Sequence, residues 1–417
     1  MSSISNAFYA QSGGVTAVIN ASACGLFSEL KKNKKKINKI YAGKNGIIGA
    51  LNEEIIDISK INKSDLSNLY YTPAGAFGSC RYKLSKDIES SEYIRLIEVF
   101  KSHNINYFFY NGGGDSADTC LKISKLAQKY NHKLQAIHIP KTIDNDLPFT
   151  DCSPGFGSVA KYISTSVLEA TLDLKSMCSS STKVFILEVM GRHAGWIAAA
   201  GQLPFHLYGL PIIVLLPEVN FNQNSFLKKV KLMVKKHGYC SIVASEGIKN
   251  KNKFISESGL KDSFGHAQLG GLAPVLSAMV TKNLQFKCHW SVSDYLQRSA
   301  RHLASQADLD HAFSVGKEAA KYALAGENAV MPGIYRKPSK TYSWTIKKIP
   351  LAKVANKEKK LPKSFISKDH YNITKKCVDY LLPLIKGESF PKFIDGLPKY
   401  TILSNKIIKK KLNRWDK

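Results

Sequence analysis

Residues 134–146 read Leu134-Gln135-Ala136-Ile137-His138-Ile139-Pro140-Lys141-Thr142-Ile143-Asp144-Asn145-Asp146, an apolar run that ends in a lysine, a hydroxyl and two carboxylates. A short apolar run closed by turn-forming residues is expected to be a buried strand. In open α/β sheets, ligands bind just beyond the carboxyl ends of such strands. A carboxylate there can take a proton from an alcohol, and a lysine beside it can neutralise a phosphoryl group in transit. An Asx-rich turn is the plain alternative, because Asp and Asn form turns readily.

A second constellation one strand earlier weighs against that alternative. Tyr107-Phe108-Phe109-Tyr110 runs into Asn111-Gly112-Gly113-Gly114-Asp115-Ser116 and then a helix-like stretch to Lys129. Glycines let backbone amides approach a phosphate closely, and the helix start adds unpaired N–H groups and a positive dipole end. Asp115 is the informative oddity. A carboxylate beside a phosphate cradle repels the anion unless it holds a metal or excludes a larger ligand.

Working outward, strands are expected at residues 6–10, 37–42, 106–110, 134–139, 183–189, 211–216 and 240–245, with helices at 15–30, 116–130, 159–175, 221–236 and 268–281. Alternation at this spacing implies βαβ units and mostly parallel sheets, an α/β fold. Residues 336–363 turn lysine-rich, with Pro338, Pro350 and Pro362, and read as the start of an appended C-terminal region.

The length of 417 residues suggests two or three domains, and 44% hydrophobic content suits a globular chain. No apolar run reaches the roughly 18 residues needed to cross a bilayer, and Met1 to Gln11 shows no secretory pattern. The eight cysteines stand singly, without metal-site spacing, so reduced thiols in a cytoplasm are expected. Sixty Lys and Arg against 32 Asp and Glu give a net charge of +28, which by itself would suit a nucleic-acid binder. The lysines are spread along the chain, however, and the dense runs Lys31–Lys36 and Lys406–Lys411 read as solvated faces. No nucleic-acid motif accompanies them. His138, His193, Trp196, Trp290, Trp344 and Trp415 read as packing residues, with His138 a satisfied core histidine. Glu188 is expected either to pair with a cation or to touch substrate.

These stretches, with five others, resemble the phosphofructokinase family and its pyrophosphate-dependent branch, from Phe8 to about Gly333. The others are Gln11-Ser12-Gly13-Gly14, the loop Gly75–Lys83 with Arg81, the turn Glu188–Gly195, and Pro217-Glu218 with Tyr295-Leu296-Gln297-Arg298. The resemblance implies two Rossmann-like lobes: residues 1–150 for the phosphoryl donor, 151–300 for the sugar phosphate, and 301–417 returning to the lobes with a basic extension. It implies reversible transfer from pyrophosphate to fructose 6-phosphate, as in glycolysis and gluconeogenesis. Asp144 would be the base and Lys141 the cation for the transferring group. Gly13, Arg81, Gly113 and Ser116 would hold the diphosphate. Thr142, Ile143, Asp146, Met190, Gly191, Arg192, Glu218, Tyr295, Leu296, Gln297 and Arg298 would hold the sugar phosphate. In this family the 6-phosphate site is shared between subunits, so a homodimer or homotetramer is implied. Lys183 and His289, standing where arginines are usual, would be the contacts supplied by a neighbour.

The donor rests on two substitutions. Relative to ATP-using members, Asp115 replaces a small residue and Lys141 replaces a glycine. The carboxylate would meet the α-phosphate of ATP at a cost of several kcal/mol, while the lysine supplies a cation to pyrophosphate. Magnesium is expected, with Asp115 and Asp146 as its protein ligands, since Gly114 stands where the family commonly has a metal-binding aspartate. The alternatives are an ATP-dependent phosphofructokinase and an idle basic binding protein on the same fold.

Overall fold

The computed structural model describes residues 4–85, 87–251, 253–261, 267–269 and 271–415. Its principal strands are β1 (Ser5–Gln11), β2 (Ile37–Gly43), β3 (Ile55–Asp57), β4 (Ile105–Gly112), β5 (Gln135–Pro140), β6 (Val184–Val189), β7 (Ile212–Leu215), β8 (Cys240–Ser245), β9 (Cys288–Val292), β10 (Val330–Arg336) and β11 (Trp344–Pro350). They form a seven-stranded sheet, in the order β11-β10-β5-β4-β1-β2-β3, and a four-stranded sheet, in the order β9-β6-β8-β7. The smaller sheet is parallel throughout. In the larger one only the β2–β3 and β10–β11 pairs are antiparallel. This is the expected mostly parallel α/β fold.

Period-2 alternation gives the large sheet two apolar faces. Phe8 meets Phe100 and Phe108 on one side, while Tyr9 meets Phe27 and Phe77 edge-on from the other. Helices cover the sheets, α1 (Ile19–Lys32), α2 (Gly114–Lys129) and α7 (Gln306–Leu324) on the larger one, and α3 (Phe156–Met177), α4 (Gln223–His237), α5 (Leu272–Leu284) and α6 (Asp294–Ser299) against the smaller one. Helices α1 and α7 pack backbone to backbone. A Cβ on Gly25 would overlap the Phe313 carbonyl, and one on Gly316 would overlap that of Ser22. The buried carboxylate of Asp308, on α7, caps the start of α3 by accepting from the Gly155 and Ser158 amides at 2.9 Å each.

Among the principal strands, the sequence-based expectations miss the edges β3, β9 and β11 and also β10, which lies between β11 and β5. Residues 344–350 were expected in an appended segment, yet they form β11 at the rim of the large sheet. The lysines that hid the strand, Lys347 and Lys348, are exposed there, as suits an edge. Strand β9 was missed because both of its faces are open; Trp290, expected to pack, is 48% exposed. The helix expected from residue 268 starts at Leu272, after a short strand at Ala267–Leu269, and residue 270 lies outside the described residues.

The tail from Thr401 to Asn413 lies against the large sheet. Ile408 donates to the Ile55 carbonyl at 2.8 Å. Buried Glu53 accepts from the Leu412 amide at 3.0 Å and sits 2.6 Å from the His103 ring. Its lysines 406 and 409–411 remain exposed, as a solvated face should. No helix among the described residues is long and apolar enough to cross a membrane.

Candidate active site

Register brings the decisive loops together. Gln11 of β1 pairs with Asn111 of β4, and Gly112 pairs with Pro140 of β5, so three carboxyl ends finish side by side. Behind them the Tyr9 hydroxyl accepts from Asn111 at 2.9 Å and Gln11 at 3.1 Å, a buried polar network that fixes the loop roots. The ends open onto a cleft of about 1070 Å³ between the two sheets' strand ends.

On one side of the cleft, Lys141 is buried beneath the Ser12–Gly14 loop. Its ammonium donates to the Ser12 carbonyl at 2.8 Å and the Gly14 carbonyl at 2.5 Å. Burial pulls its pKa down to about 8, and the nearby Arg298 and Arg81 push the same way, while Asp144 and Asp146 oppose them. The Arg298 and Arg81 guanidinium groups flank Gly14. Three cations thus converge on one glycine loop. Gly113 caps α2, its carbonyl accepting the Ser116 and Ala117 amides at 3.1 Å. Asp115 is exposed on the first turn of α2 and faces the same cleft.

A second, smaller void meets the cleft at Ser12, Asp115 and Ser116. It holds about 30 Å³, room for one water, and is walled by Tyr82, Tyr93 and Tyr110. Glu92 pins the wall, accepting from the Tyr82 hydroxyl and from the Ser85 amide at 2.8 Å. No nucleoside fits there.

The catalytic-loop candidates follow β5 directly. The Thr142 hydroxyl accepts from the Asp144 amide at 3.1 Å, and Asn145 is held by Ser153 and Tyr380. Thr142, Ile143, Asp144 and Asp146 all line the cleft. Half-buried Asp144 has its pKa pushed up to about 7, first by burial, then by Asp146 and Glu246, against Lys141 and Arg192. Asp146 is pushed up too, again mainly by burial. Its Oδ1 is buried with no hydrogen-bond partner.

The opposite wall comes from the smaller sheet. Met190 and Arg192 line it after β6, with the Met190 amide donating to Gln297 at 3.2 Å. Gly191 lies behind them, its amide 3.4 Å from Glu246 and its carbonyl accepting the Ser245 hydroxyl at 2.5 Å. On α6, Tyr295, Gln297 and Arg298 line the cleft, and the Arg298 guanidinium stacks 3.8 Å from the Tyr295 ring centroid.

Other expected residues lie outside the cleft. Glu218 accepts from the Gly195 and Leu361 amides at 3.0 Å each, so it braces the wall from behind. Leu296 is 64% exposed. Lys183 bonds the Cys178 and Ser179 carbonyls, and His289 is exposed on the open strand β9. Neither lines the cleft of its own chain.

Some plain readings change. His193 faces the cleft and pairs with Glu358 at 2.9 Å, rather than packing at a helix start. His138 is a buried core residue beside the Gly112 and Gly113 backbone, and burial holds it neutral with a pKa of about 3. Glu188 lines the cleft and accepts the Ala273 amide at 2.8 Å at the start of α5. Sequence reasoning missed Glu246, although it directly follows β8 and the strand-end rule applied to β5 points to it. It also missed residues 356–360 of the C-terminal region, several of which line the cleft.

Comparison with known proteins agrees with this geometry. The sequence profile described as phosphofructokinase matches residues 6–323. The chain is 58% identical over 411 residues to the pyrophosphate–fructose 6-phosphate 1-phosphotransferase of Halomonas elongata, with 98% of each chain covered. It is 30% identical over 357 residues to the sulfofructose kinase of Alkalicoccus urumqiensis, covering 85% of this chain and 90% of that one. It superposes with a TM-score of 0.92 on the pyrophosphate-dependent phosphofructokinase of Nitrosospira multiformis, at 54% identity, spanning 99% of this chain and 100% of that one.

Proposed function

The chain belongs to the phosphofructokinase family, and from that premise we infer that its cleft moves a phosphoryl group reversibly between pyrophosphate and the 1-hydroxyl of fructose 6-phosphate. Phosphoryl transfer needs an in-line arrangement, neutralised charge and a base for the hydroxyl proton. We assign the base to Asp144, whose raised pKa lets it hold the proton it receives. Lys141, Arg81 and Arg298 surround the Gly13–Gly14 loop and balance charge on the diphosphate, Arg298 standing beside Gly14 rather than only at the sugar phosphate as expected, with Gly113 and Ser116 at the helix start completing the cradle. Arg192, Met190, Gln297 and Tyr295 face Asp144 from the opposite wall, where the sugar phosphate would lie.

Magnesium fits this donor set. Among the described residues no three His, Cys, Asp or Glu side chains converge, but Mg²⁺ usually takes one or two carboxylates plus substrate phosphates. The unpartnered Oδ1 of Asp146 and the exposed carboxylate of Asp115 would hold it. When bound, the ion would neutralise phosphate oxygens. Lys183 and His289 would serve the cleft of a second copy, in a homodimer or homotetramer.

The observation that carries the donor assignment is the anionic Asp115 and the cationic Lys141 lining one cleft at its glycine loops, with a water-sized void walled by Tyr82, Tyr93 and Tyr110 behind Asp115. The test compares pyrophosphate with ATP as donor to fructose 6-phosphate under identical conditions. Turnover with pyrophosphate only is expected, and faster turnover with ATP would overturn the reading. Asp115→Gly removes a carboxylate that both faces the donor and would help to hold magnesium, with Asp146 left to hold the ion, and it leaves the tyrosine wall standing. Its kcat/KM with ATP should rise by about tenfold and stay far below that with pyrophosphate. Adding Tyr82→Ala should raise it further. If the single variant used both donors equally, the carboxylate alone would set the choice.

A further inference from the structure

Residues 356–361, which follow β11, cross the cleft and touch both of its sides. Asn356 donates to Asp118 of α2 at 3.1 Å. Glu358 pairs with His193, beyond β6, and the Leu361 amide donates to Glu218, beyond β7. Between these anchors stands Lys359. Its ammonium donates to three oxygens that all belong to the segment after Asp144: Asn145 Oδ1 at 3.3 Å, the Thr150 carbonyl at 3.0 Å and the Asp151 carbonyl at 2.9 Å. Its backbone amide donates to the Asp146 carbonyl at 2.6 Å. The Trp196 indole holds the Lys359 carbonyl at 3.2 Å and lies 5.3 Å beneath the ammonium.

Asn145 has a left-handed backbone, φ +53°. It sits between Asp144 and Asp146, so the direction of both carboxylates depends on holding that residue in place. An ammonium with three donors can satisfy three oxygens at once, and here all three close one loop. Such a contact does no chemistry itself. It fixes the angle at which a base meets its alcohol, and a displacement of the order of 1 Å at a reacting centre can cost about a hundredfold in rate.

We propose that Lys359 is a positioning residue for the catalytic loop, delivered by the C-terminal region, and that it sets the geometry of Asp144 without contacting substrate. The proposal rests on the assignment of Asp144 as the base. It predicts a division of effects that a merely structural lysine would not give. Lys359→Met should lower kcat by about a hundredfold per folded molecule in both directions, while KM for fructose 6-phosphate and pyrophosphate changes by less than about threefold. Lys359→Arg keeps the charge and several donors and should recover about tenfold of that loss. Lys375→Met, removing a surface pair with Asp379, serves as the control and should leave kcat unchanged.

Three results would overturn it: a kcat within about twofold of wild type, a loss confined to KM, or an arginine variant no better than methionine. Should the methionine variant fail to fold, Lys359→Gln takes its place: a kcat equal to wild type sinks the proposal, and a loss at unchanged KM that arginine partly restores supports it. Wild-type enzyme assayed alongside separates the two readings. If it used ATP rather than pyrophosphate, the donor assignment would fall, and the same comparison with ATP would still decide the part played by Lys359.

Discussion

Asp144→Ala should lower kcat by about a thousandfold or more while fructose 6-phosphate still binds, because the base is lost and the opposite wall is untouched. Titration of fructose 6-phosphate against the variant, beside steady-state kinetics, checks both halves of that result. An unchanged kcat would remove Asp144 as the base. Its raised pKa also fixes the pH dependence. The base works only when ionised, so kcat/KM should fall as pH drops through about 7. The stability consequence has the opposite sense. An unfolded carboxyl titrates near about 4, whereas the folded one holds its proton up to about 7, so folding is favoured by protonation. Stability from this group is present at low pH and is lost as pH rises between those values. Asp144→Asn should therefore raise Tm at pH 8 relative to wild type, and the gain should vanish near pH 4. A variant less stable than wild type at pH 8 would show that the ionised carboxylate is already compensated.

Lys141→Gly is expected to be nearly as severe, for two reasons that act together. It removes a cation from the site of charge transfer, and it releases the two carbonyls that tie down the Ser12–Gly14 loop. The first loss falls on the transition state, where removing a charge-stabilising group costs about a hundred- to a thousandfold in kcat. The second adds a smaller rise in KM for pyrophosphate, because the loop must be ordered on binding. Lys141→Met, which fills the buried space without the charge, should show the kcat loss with less effect on KM. An effect on KM alone in both variants would mean that Lys141 only builds the loop.

The parts of the site that were legible in the sequence are those that local chemistry reveals. An apolar strand with polar residues at its carboxyl end announces itself within a dozen positions, and residues 134–146 and 107–116 do so. Of the principal strands that were missed, β3, β9 and β11 are edges, whereas β10 lies inside the large sheet, in a stretch read as part of the C-terminal segment. Strand β11 carries exposed lysines, and β9 is open on both faces, so neither has the alternation that burial imposes. Glu246 was within reach of the same strand-end rule, but no second unusual residue stood beside it. Lys359 was out of reach altogether. It lies more than two hundred residues from the loop it fixes, in a lysine-rich stretch where nothing marks one lysine from the next, and only the path of the chain after β11 brings it home. His193 shows the same limit. Its partner, Glu358, comes from that distant segment.

The close approach of α1 and α7 at Gly25 and Gly316 bears on how loss of function in this enzyme should be interpreted. Neither position reaches the cleft, yet each has the other helix's main chain where a side chain would begin. A survey of random variants would score both as intolerant, alongside Asp144 and Lys141. Only the yield of soluble, folded protein tells the two groups apart: helix-crossing variants lose the molecule, whereas cleft variants lose the reaction.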